Sequence, residues 1–276
     1  MPSVCSHQDQ SRKGVSATAH AVAAMRALES ESENGLFIDP YAHLLTGDVG
    51  SSYVDMFGGD QIKSPYGIID GVAVRTKKID DEFLCAISED NIRQICTLGA
   101  GLDTRAWRLK SSLGKSIRFF EVDFPEIFDY KLSVLNEAGA QSDFDYRSVK
   151  ADLSVDNWHS ALIDGGFDVS IPTFWILEGL TGYLTESEAS LLFDKITSLL
   201  SAEGSRIVAT FLTPLTLIRT SMHRFFPENP LAFLSSFHLS GRQDLIEDLG
   251  IGYNRPVRDE SMAGYYVVVV NYSKKK

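Results

Sequence analysis

Three carboxylates stand where short strand-forming segments of the chain end. Asp123, Asp152 and Glu178 each come at or just after a run of strand-forming residues. Because the carboxyl ends of parallel strands meet at one edge of an open α/β sheet, where such sheets bind ligands, we expect these side chains to lie close together. Together they could accept hydrogen bonds from hydroxyls and from an amine, and could face a cationic centre.

A glycine-rich turn, LGAGLDTR at 98–105, directly follows the first expected strand. Gly99 and Gly101 carry no side chain, so the backbone there can approach a ligand closely. Thr104 replaces the third glycine of the dinucleotide-binding fingerprint, which weakens that match. Asp123 comes 22 residues after Gly101, a spacing typical of an acid that binds ribose hydroxyls. Asp123 could instead cap the helix that begins near the following proline.

The ring of acids also indicates which nucleotide is bound. NAD needs a cradle for two phosphates, and neighbouring carboxylates repel phosphate. S-adenosylmethionine instead offers hydroxyls, an exocyclic amine and a sulfonium cation. The residues therefore favour S-adenosylmethionine, with a nicotinamide cofactor as the alternative.

These residues need an α/β scaffold to hold them in place. After Asp90 the chain alternates short apolar runs with segments of helix length, the pattern of a parallel sheet with crossover helices. Strands are predicted at 92–98, 117–122, 146–150, 172–177, 206–211 and 265–271. We predict a doubly wound, mostly parallel sheet.

Helices are predicted between and before the strands. They span 17–28, 72–87, 124–137, 156–163 and 185–200. Thr185 with Glu188, and Ser240 with Gln243, each match a capping box, which predicts a helix start at each pair. The expected organisation is an N-terminal helical cap at 1–90 and one α/β core at 91–276.

An aromatic, proline-punctuated segment at about 213–240 interrupts the alternation. It contains Phe225, Phe226, Phe233 and Phe237. We predict an inserted helical lid over the carboxyl ends of the strands. An insertion that only packs on the sheet would use the same residues.

Composition narrows the class of protein. The 276 residues are 44% hydrophobic and 23% charged, with a formal net charge of −11, which disfavours binding to nucleic acid and to anionic membranes. The longest apolar run, 265–270, is far shorter than the roughly 20 residues that span a bilayer. Three cysteines form no CxxC pair, and six histidines match no metal-binding pattern. We predict a cytoplasmic protein without a metal site.

Five motifs in this order resemble the leucine carboxyl methyltransferase family, in particular its bacterial branch with polyketide carboxyl methyltransferases. They are RTKKIDD at 75–81, LGAGLDTR at 98–105, EVDFPE at 121–126, ADL at 151–153 and EGLTGYL at 178–184. The resemblance covers nearly the whole chain apart from 213–239. It implies a class I methyltransferase, Rossmann-like fold and S-adenosyl-L-methionine as the cofactor.

The resemblance also implies roles for individual residues. Arg75 would bind the methionyl carboxylate, Glu178 the methionyl amine and Asp123 the ribose, while Asp152 and the Leu153 backbone would face the adenine. Without the resemblance, the sequence favours a surface charge on an amphipathic helix for Arg75. The complete predicted cofactor site is Lys13, Arg75, Gly99, Ala100, Gly101, Asp103, Asp123, Phe124, Asp152, Leu153, Glu178 and Gly179.

The methyl acceptor is predicted from the need for a base. A carboxylate is ionised at pH 7 and needs none, whereas a phenol or thiol needs a general base. Because no histidine ends a strand, we predict methylation of a carboxylate on a small molecule with an apolar or aromatic body. Tyr183, His223 and His238 are the catalytic candidates, and Tyr183 could instead be a buried anchor.

Several functions stay open on the sequence. The acceptor could be a phenol, a thiol or a protein C-terminal carboxylate. A nicotinamide-dependent oxidoreductase and a non-catalytic protein that binds S-adenosylmethionine are the alternatives from other classes. The oligomeric state is not predicted.

Overall fold

The computed structural model describes residues 5–46, 67–155, 157–200, 203–217 and 222–272, with side chains described from residue 17 onward. Within these ranges seven strands form one sheet in the order β3-β2-β1-β4-β5-β7-β6. The strands are β1 Gln94–Leu98, β2 Arg118–Asp123, β3 Asp145–Lys150, β4 Thr173–Leu177, β5 Arg206–Leu212, β6 Leu239–Leu245 and β7 Tyr265–Tyr272. β1 to β5 are parallel, and β7 runs antiparallel to both of its neighbours.

Helices cover both faces of the sheet. They are α1 Cys5–Glu31, α2 Ala42–Thr46, α3 Ile68–Ser88, α4 Arg105–Arg108, α5 Pro125–Glu137, α6 Trp158–Asp164, α7 Glu186–Leu199, α8 Pro230–Ser235 and α9 Ile246–Gly252. Alternate residues of β1 point to opposite faces. Ile95 joins a buried cluster with α1, α3 and α9, and Cys96 joins another with α6, α7 and α8. The doubly wound fold predicted from the sequence is therefore confirmed.

All six predicted strands are present, with ends shifted by at most two residues. One helix prediction was wrong. Ser240 and Gln243 lie in β6, which pairs with β7 along its whole length, and the helix begins only at Ile246. By contrast, Thr185 and Glu188 form the predicted capping box at the start of α7.

Within the described residues, three helices precede the first strand. The division into a cap and a core stays a prediction. In the predicted lid, the rings of Phe233 and Phe237 both lie 5.8 Å from that of Phe193 in α7. Phe233 also lies 6.2 Å from Phe211 in β5. These aromatic side chains therefore pack on the sheet and on α7.

No helix in the described ranges combines the length and the apolar character needed to cross a bilayer.

Candidate active site

A cavity of about 540 Å³ opens at the carboxyl ends of the parallel strands. Its walls come from the loops after β1, β2, β3 and β4 and from helices α1 and α3. Most of the predicted site residues line it: Arg75, Gly99, Ala100, Gly101, Asp103, Asp123, Phe124, Asp152, Leu153, Glu178, Gly179, Tyr183 and His223. The topology thus brings together residues that are more than 140 positions apart in the sequence.

Of the predicted site residues whose side chains the structure describes, His238 does not line the cavity. His238 is exposed, in a left-handed conformation (φ 62°), directly before β6. Leu239 pairs with Tyr272 at the edge where the parallel strands begin, so His238 lies on the opposite side of the sheet from the cavity. The structure therefore gives no support to the catalytic role predicted for His238. The Lys13 side chain lies outside the described residues.

The glycine turn is held in a conformation that favours glycine. Gly99 and Gly101 have φ values of 64° and 49°, a region that side chains of L-residues rarely adopt. The amide of Gly99 donates to the carbonyl of Val122 at 2.9 Å, which ties the turn to β2. A Cβ at Gly99 would lie 2.9 Å from Cδ1 of Leu180, so the Leu180 side chain would have to shift to admit one.

Asp123 connects β2 to the glycine turn. Its carboxylate accepts hydrogen bonds from the amides of Gly101 at 2.6 Å and Phe124 at 2.7 Å. Burial raises the pKa of Asp123, and these two hydrogen bonds act in the opposite direction. Phe124, without a side-chain cap, is the N-cap residue of the following helix, so the capping alternative for Asp123 is not observed. The free lone pairs of the carboxylate remain available to a ligand hydroxyl.

Glu178 and Arg75 form a buried ion pair on the cavity wall. Nε of Arg75 donates to Oε1 of Glu178 at 2.8 Å, and its Nη1 donates to the hydroxyl of Tyr265 at 2.9 Å. Burial alone would raise the pKa of Glu178, but the guanidiniums of Arg105 and Arg75 hold it well below its usual range. Arg75 is therefore not a surface charge. The pair presents one anion and one cation side by side.

Arg105 is the main residue that the sequence reasoning missed. Its side chain is 2% exposed, and it binds Asp80 at 2.7 Å, Asp103 at 2.8 Å and Glu178 at 2.6 Å. Asp80 is also bound by Arg108, through two nitrogens at 2.7 Å each. The only sequence signal was the position of Arg105 at the end of the glycine-rich motif.

The loop after β3 supplies Asp152 and Leu153. Oδ1 of Asp152 accepts from the amide and the hydroxyl of Ser154, at 2.9 and 2.6 Å, which fixes the turn that follows the strand. Thr97 of β1 also lines the cavity, and its buried hydroxyl has no hydrogen-bond partner within the described part of the chain. A ligand donor or acceptor could satisfy that hydroxyl.

Tyr183 and His223 form an aromatic pair on the cavity wall. Their ring centroids are 4.6 Å apart, and the Tyr183 hydroxyl is hydrogen-bonded to Thr18 of α1. Burial raises the pKa of Tyr183 and lowers the pKa of His223. Tyr183 is therefore a neutral phenol at pH 7, and His223 is a neutral imidazole able to accept a proton. Apolar side chains complete this part of the wall: Val22, Met25, Ile68, Val72, Leu180, Leu212 and Met222.

The chemistry of these donors fits a zwitterionic nucleoside. The Arg75–Glu178 pair can meet an α-carboxylate and an α-amine, since a guanidinium binds carboxylates with two donors and a carboxylate accepts from an ammonium. Asp123 beside the bare glycine turn can accept ribose hydroxyls. The apolar side chains that line the cavity could contact a second, less polar molecule.

Comparison with known proteins agrees with this chemistry. A family model described as leucine carboxyl methyltransferase matches residues 19–197. A protein of Mycolicibacterium gilvum named "Putative S-adenosyl-L-methionine-dependent methyltransferase" is 43% identical over 202 residues, which cover 70% of this chain and 65% of that protein. A protein of Mycolicibacterium smegmatis with the same type of name is 36% identical over 258 residues, covering 91% of this chain and 81% of that one.

Two crystal structures share the fold. One, titled as a "putative methyltransferase" from Thermobifida fusca, has a TM-score of 0.63 at 16% identity, covering 93% of this chain and 94% of that chain. The other, a DUF574 family protein from Streptomyces avermitilis, has a TM-score of 0.61 at 13% identity, covering 91% and 97%.

Proposed function

Since the chain belongs to the leucine carboxyl methyltransferase family, we propose that it transfers the methyl group of S-adenosyl-L-methionine to a carboxylate of a small molecule. The observation that carries this proposal is the convergence of Asp123 and the Arg75–Glu178 pair on one cavity beside a glycine turn. The sulfonium of S-adenosyl-L-methionine supplies an activated methyl carbon. The relatives' names support this cofactor for the present chain.

The chain's own residues hold and orient the two reactants. Glu178 and Arg75 would bind the amine and the carboxylate of the methionyl part, and Asp123 the ribose. Asp152 and the Leu153 backbone would face the adenine. Positioning of this kind can supply roughly 7 to 11 kcal/mol of a barrier when the reacting atoms are held in line.

A carboxylate acceptor is consistent with the polar groups around the cavity. In that reaction a carboxylate oxygen forms the new bond to carbon, the carbon–sulfur bond breaks, and its electron pair stays on sulfur. No proton moves, so no base is required. The apolar side chains on the wall support an acceptor with an apolar or aromatic body.

One observation favours a second candidate, methylation of a phenol or thiol. His223 reaches the cavity wall in its neutral form, because burial lowers its pKa. A neutral imidazole there could accept the proton that such an acceptor must lose.

Cofactor binding is tested first, by calorimetry with S-adenosylhomocysteine. We expect Asp123→Asn to lower the affinity for S-adenosylhomocysteine at least tenfold. The asparagine side chain has one acceptor oxygen, so it can accept from only one of the two backbone N–H groups that now donate to Asp123. Asp129→Asn is the matched control, since Asp129 is an exposed carboxylate of α5 that is paired with Lys150 of β3. NADH should not bind. Absence of S-adenosylhomocysteine binding to the unaltered protein would contradict the proposal as a whole.

The acceptor is tested with S-adenosylmethionine labelled in the methyl group. The panel contains aliphatic and aromatic carboxylic acids, phenols, thiols and a peptide with a free C-terminal carboxylate. Mild base releases the label from methyl esters as volatile methanol and leaves methyl ethers and thioethers intact. We expect base-labile product from a small acid. Base-stable product would favour the phenol or thiol reaction.

A further inference from the structure

The guanidinium of Arg105 lies behind the cavity and connects three acids from different parts of the fold. Nε donates to Asp80 on α3, and Nη1 donates both to Asp103 in the glycine turn and to Oε2 of Glu178 after β4. Asp103 and Glu178 line the cavity, whereas Arg105 is 2% exposed. Arg105 can therefore affect a ligand only through its neighbours.

The two oxygens of Glu178 have different partners. Oε2 is held by Arg105 and Oε1 by Arg75. Arg75 itself lines the cavity and is the residue proposed for the cofactor carboxylate, so its contact with Oε1 belongs to the part of the site that a ligand enters. The contact with Arg105 lies on the buried side and can persist when a ligand is bound.

We propose that Arg105 is a positioning residue, which fixes the orientation and the negative charge of Glu178 so that Glu178 binds the amino group of S-adenosylmethionine. This inference rests on the proposed function. It assigns a role that neither the motif nor the resemblance gave to Arg105.

The charges around Glu178 agree with this role. Arg26 from α1, Arg75 from α3 and Arg105 from α4 are the cations that stabilise its ionised form, against the effect of burial. Asp80 and Asp103 also bind Arg105, and Tyr265 binds Arg75. Burial raises the pKa of Glu178 and Arg105 lowers it, so removal of Arg105 should raise this pKa.

The test compares two nucleosides in calorimetry. S-adenosylhomocysteine carries the amino-acid part that would contact Glu178, and 5′-methylthioadenosine lacks it. In Arg105→Gln we expect the affinity for S-adenosylhomocysteine to fall at least tenfold at pH 7.5, and that for 5′-methylthioadenosine to change less than twofold. Glu178→Gln should reproduce this selective loss. Arg105→Lys should restore part of the affinity, because lysine keeps the charge without the planar fork.

A pH series adds a readout that a general loss of structure would not produce. The affinity of the unaltered protein for S-adenosylhomocysteine should be constant from pH 8 to pH 5, since Glu178 stays ionised. In Arg105→Gln the affinity should fall as the pH is lowered, because Glu178 then takes up a proton and loses its attraction for an ammonium.

The matched control is Arg108→Gln. Arg108 is a second arginine of α4; its side chain is 3% exposed, and it binds Asp80 and does not contact Glu178. This variant should keep the ratio of the two affinities. If Arg105→Gln does not fold, the test is made with Arg105→Lys, by the same ratio of affinities for the two nucleosides and the same pH series.

An equal loss of both ligands in the Arg105 variants, or an unchanged ratio and pH profile, would overturn the role of Arg105. That result differs from a failure of the proposed function, in which the unaltered protein would not bind S-adenosylhomocysteine.

Discussion

Alanine at Gly101 should weaken cofactor binding more than it weakens the fold. Gly101 has a φ of 49°, and an L-residue in this region costs about 1–2 kcal/mol. A Cβ there would lie 3.5 Å from the Cβ of Ala19, which is ordinary contact, so no further steric cost to folding is expected. Both residues line the cavity, and the amide of Gly101 donates to Asp123. An added methyl group therefore alters the wall beside the proposed ribose site.

Gly139 provides a matched control. It has a φ of 67°, and a Cβ there would meet no atom within 4 Å. It follows α5 and does not line the cavity. Gly139→Ala should thus carry a similar conformational cost of about 1–2 kcal/mol without changing the site.

The assay combines urea unfolding with calorimetry. Both variants should lose about 1–2 kcal/mol of unfolding free energy. Only Gly101→Ala should lose affinity for S-adenosylhomocysteine, by tenfold or more, which corresponds to about 1.4 kcal/mol. Equal affinities of the two variants would refute the inference that the turn must be bare for the cofactor to bind.

Three further predictions test other parts of the structure. Phe193→Ala should lower the unfolding free energy by about 3–5 kcal/mol, because it leaves a cavity where the buried ring of α7 packs against Phe211 and Phe233. The affinity for S-adenosylhomocysteine should stay unchanged, and an altered affinity would contradict a purely packing role for Phe193. If the acceptor is a carboxylate, His223→Gln should keep turnover within about threefold, and the rate of the unaltered protein should not fall between pH 8 and 6. A rate that falls as His223 gains a proton, and that this variant abolishes, would instead indicate a base. Thr185→Ala should cost about 1 kcal/mol in urea unfolding, since the hydroxyl accepts from the Glu188 amide at the start of α7; no loss would show that this cap is dispensable.

The strand-end acids could be predicted because their signal is local. Each comes at or just after a predicted strand, and the parallel topology then brings the strand ends together without any further information. The Thr185 and Glu188 capping box is local in the same sense, because both partners lie within one helical turn. Such features depend on neighbours in the sequence.

β6 shows where a local signal fails. Ser240 and Gln243 have the spacing of a capping box, but Ser240 pairs with Asn271 and Gln243 with Val268 in the ladder with β7. The hydrogen bonds of that ladder satisfy the backbone groups that a capped helix would have satisfied. These partners in β7 lie 31 and 25 residues further along the chain, so a pattern within four residues carries no information about them.

The burial of Arg75 and Arg105 could not be predicted from the sequence either, because their partners are distant along the chain. Without the family resemblance Arg75 reads as a surface charge, and no pattern in the sequence indicated a role for Arg105, because a guanidinium is rarely buried unless acids surround it. The acids that allow their burial come from 25 residues before Arg105 and 73 residues after it. Only the folded chain shows that Asp80 and Glu178 meet at one place.

Two buried ion pairs cross the predicted boundary near residue 90 between the helical cap and the α/β core. The helices before β1 contribute Arg75 and Asp80, whose partners Glu178 and Arg105 come from the α/β core. Breaking a buried ion pair by removal of one partner costs roughly 3–5 kcal/mol, because the remaining charge stays desolvated. The side chains proposed to bind the methionyl group thus depend on both segments at once. These contacts connect the helices before β1 to the loops at the strand ends, and α1 and α3 form part of the cavity wall itself.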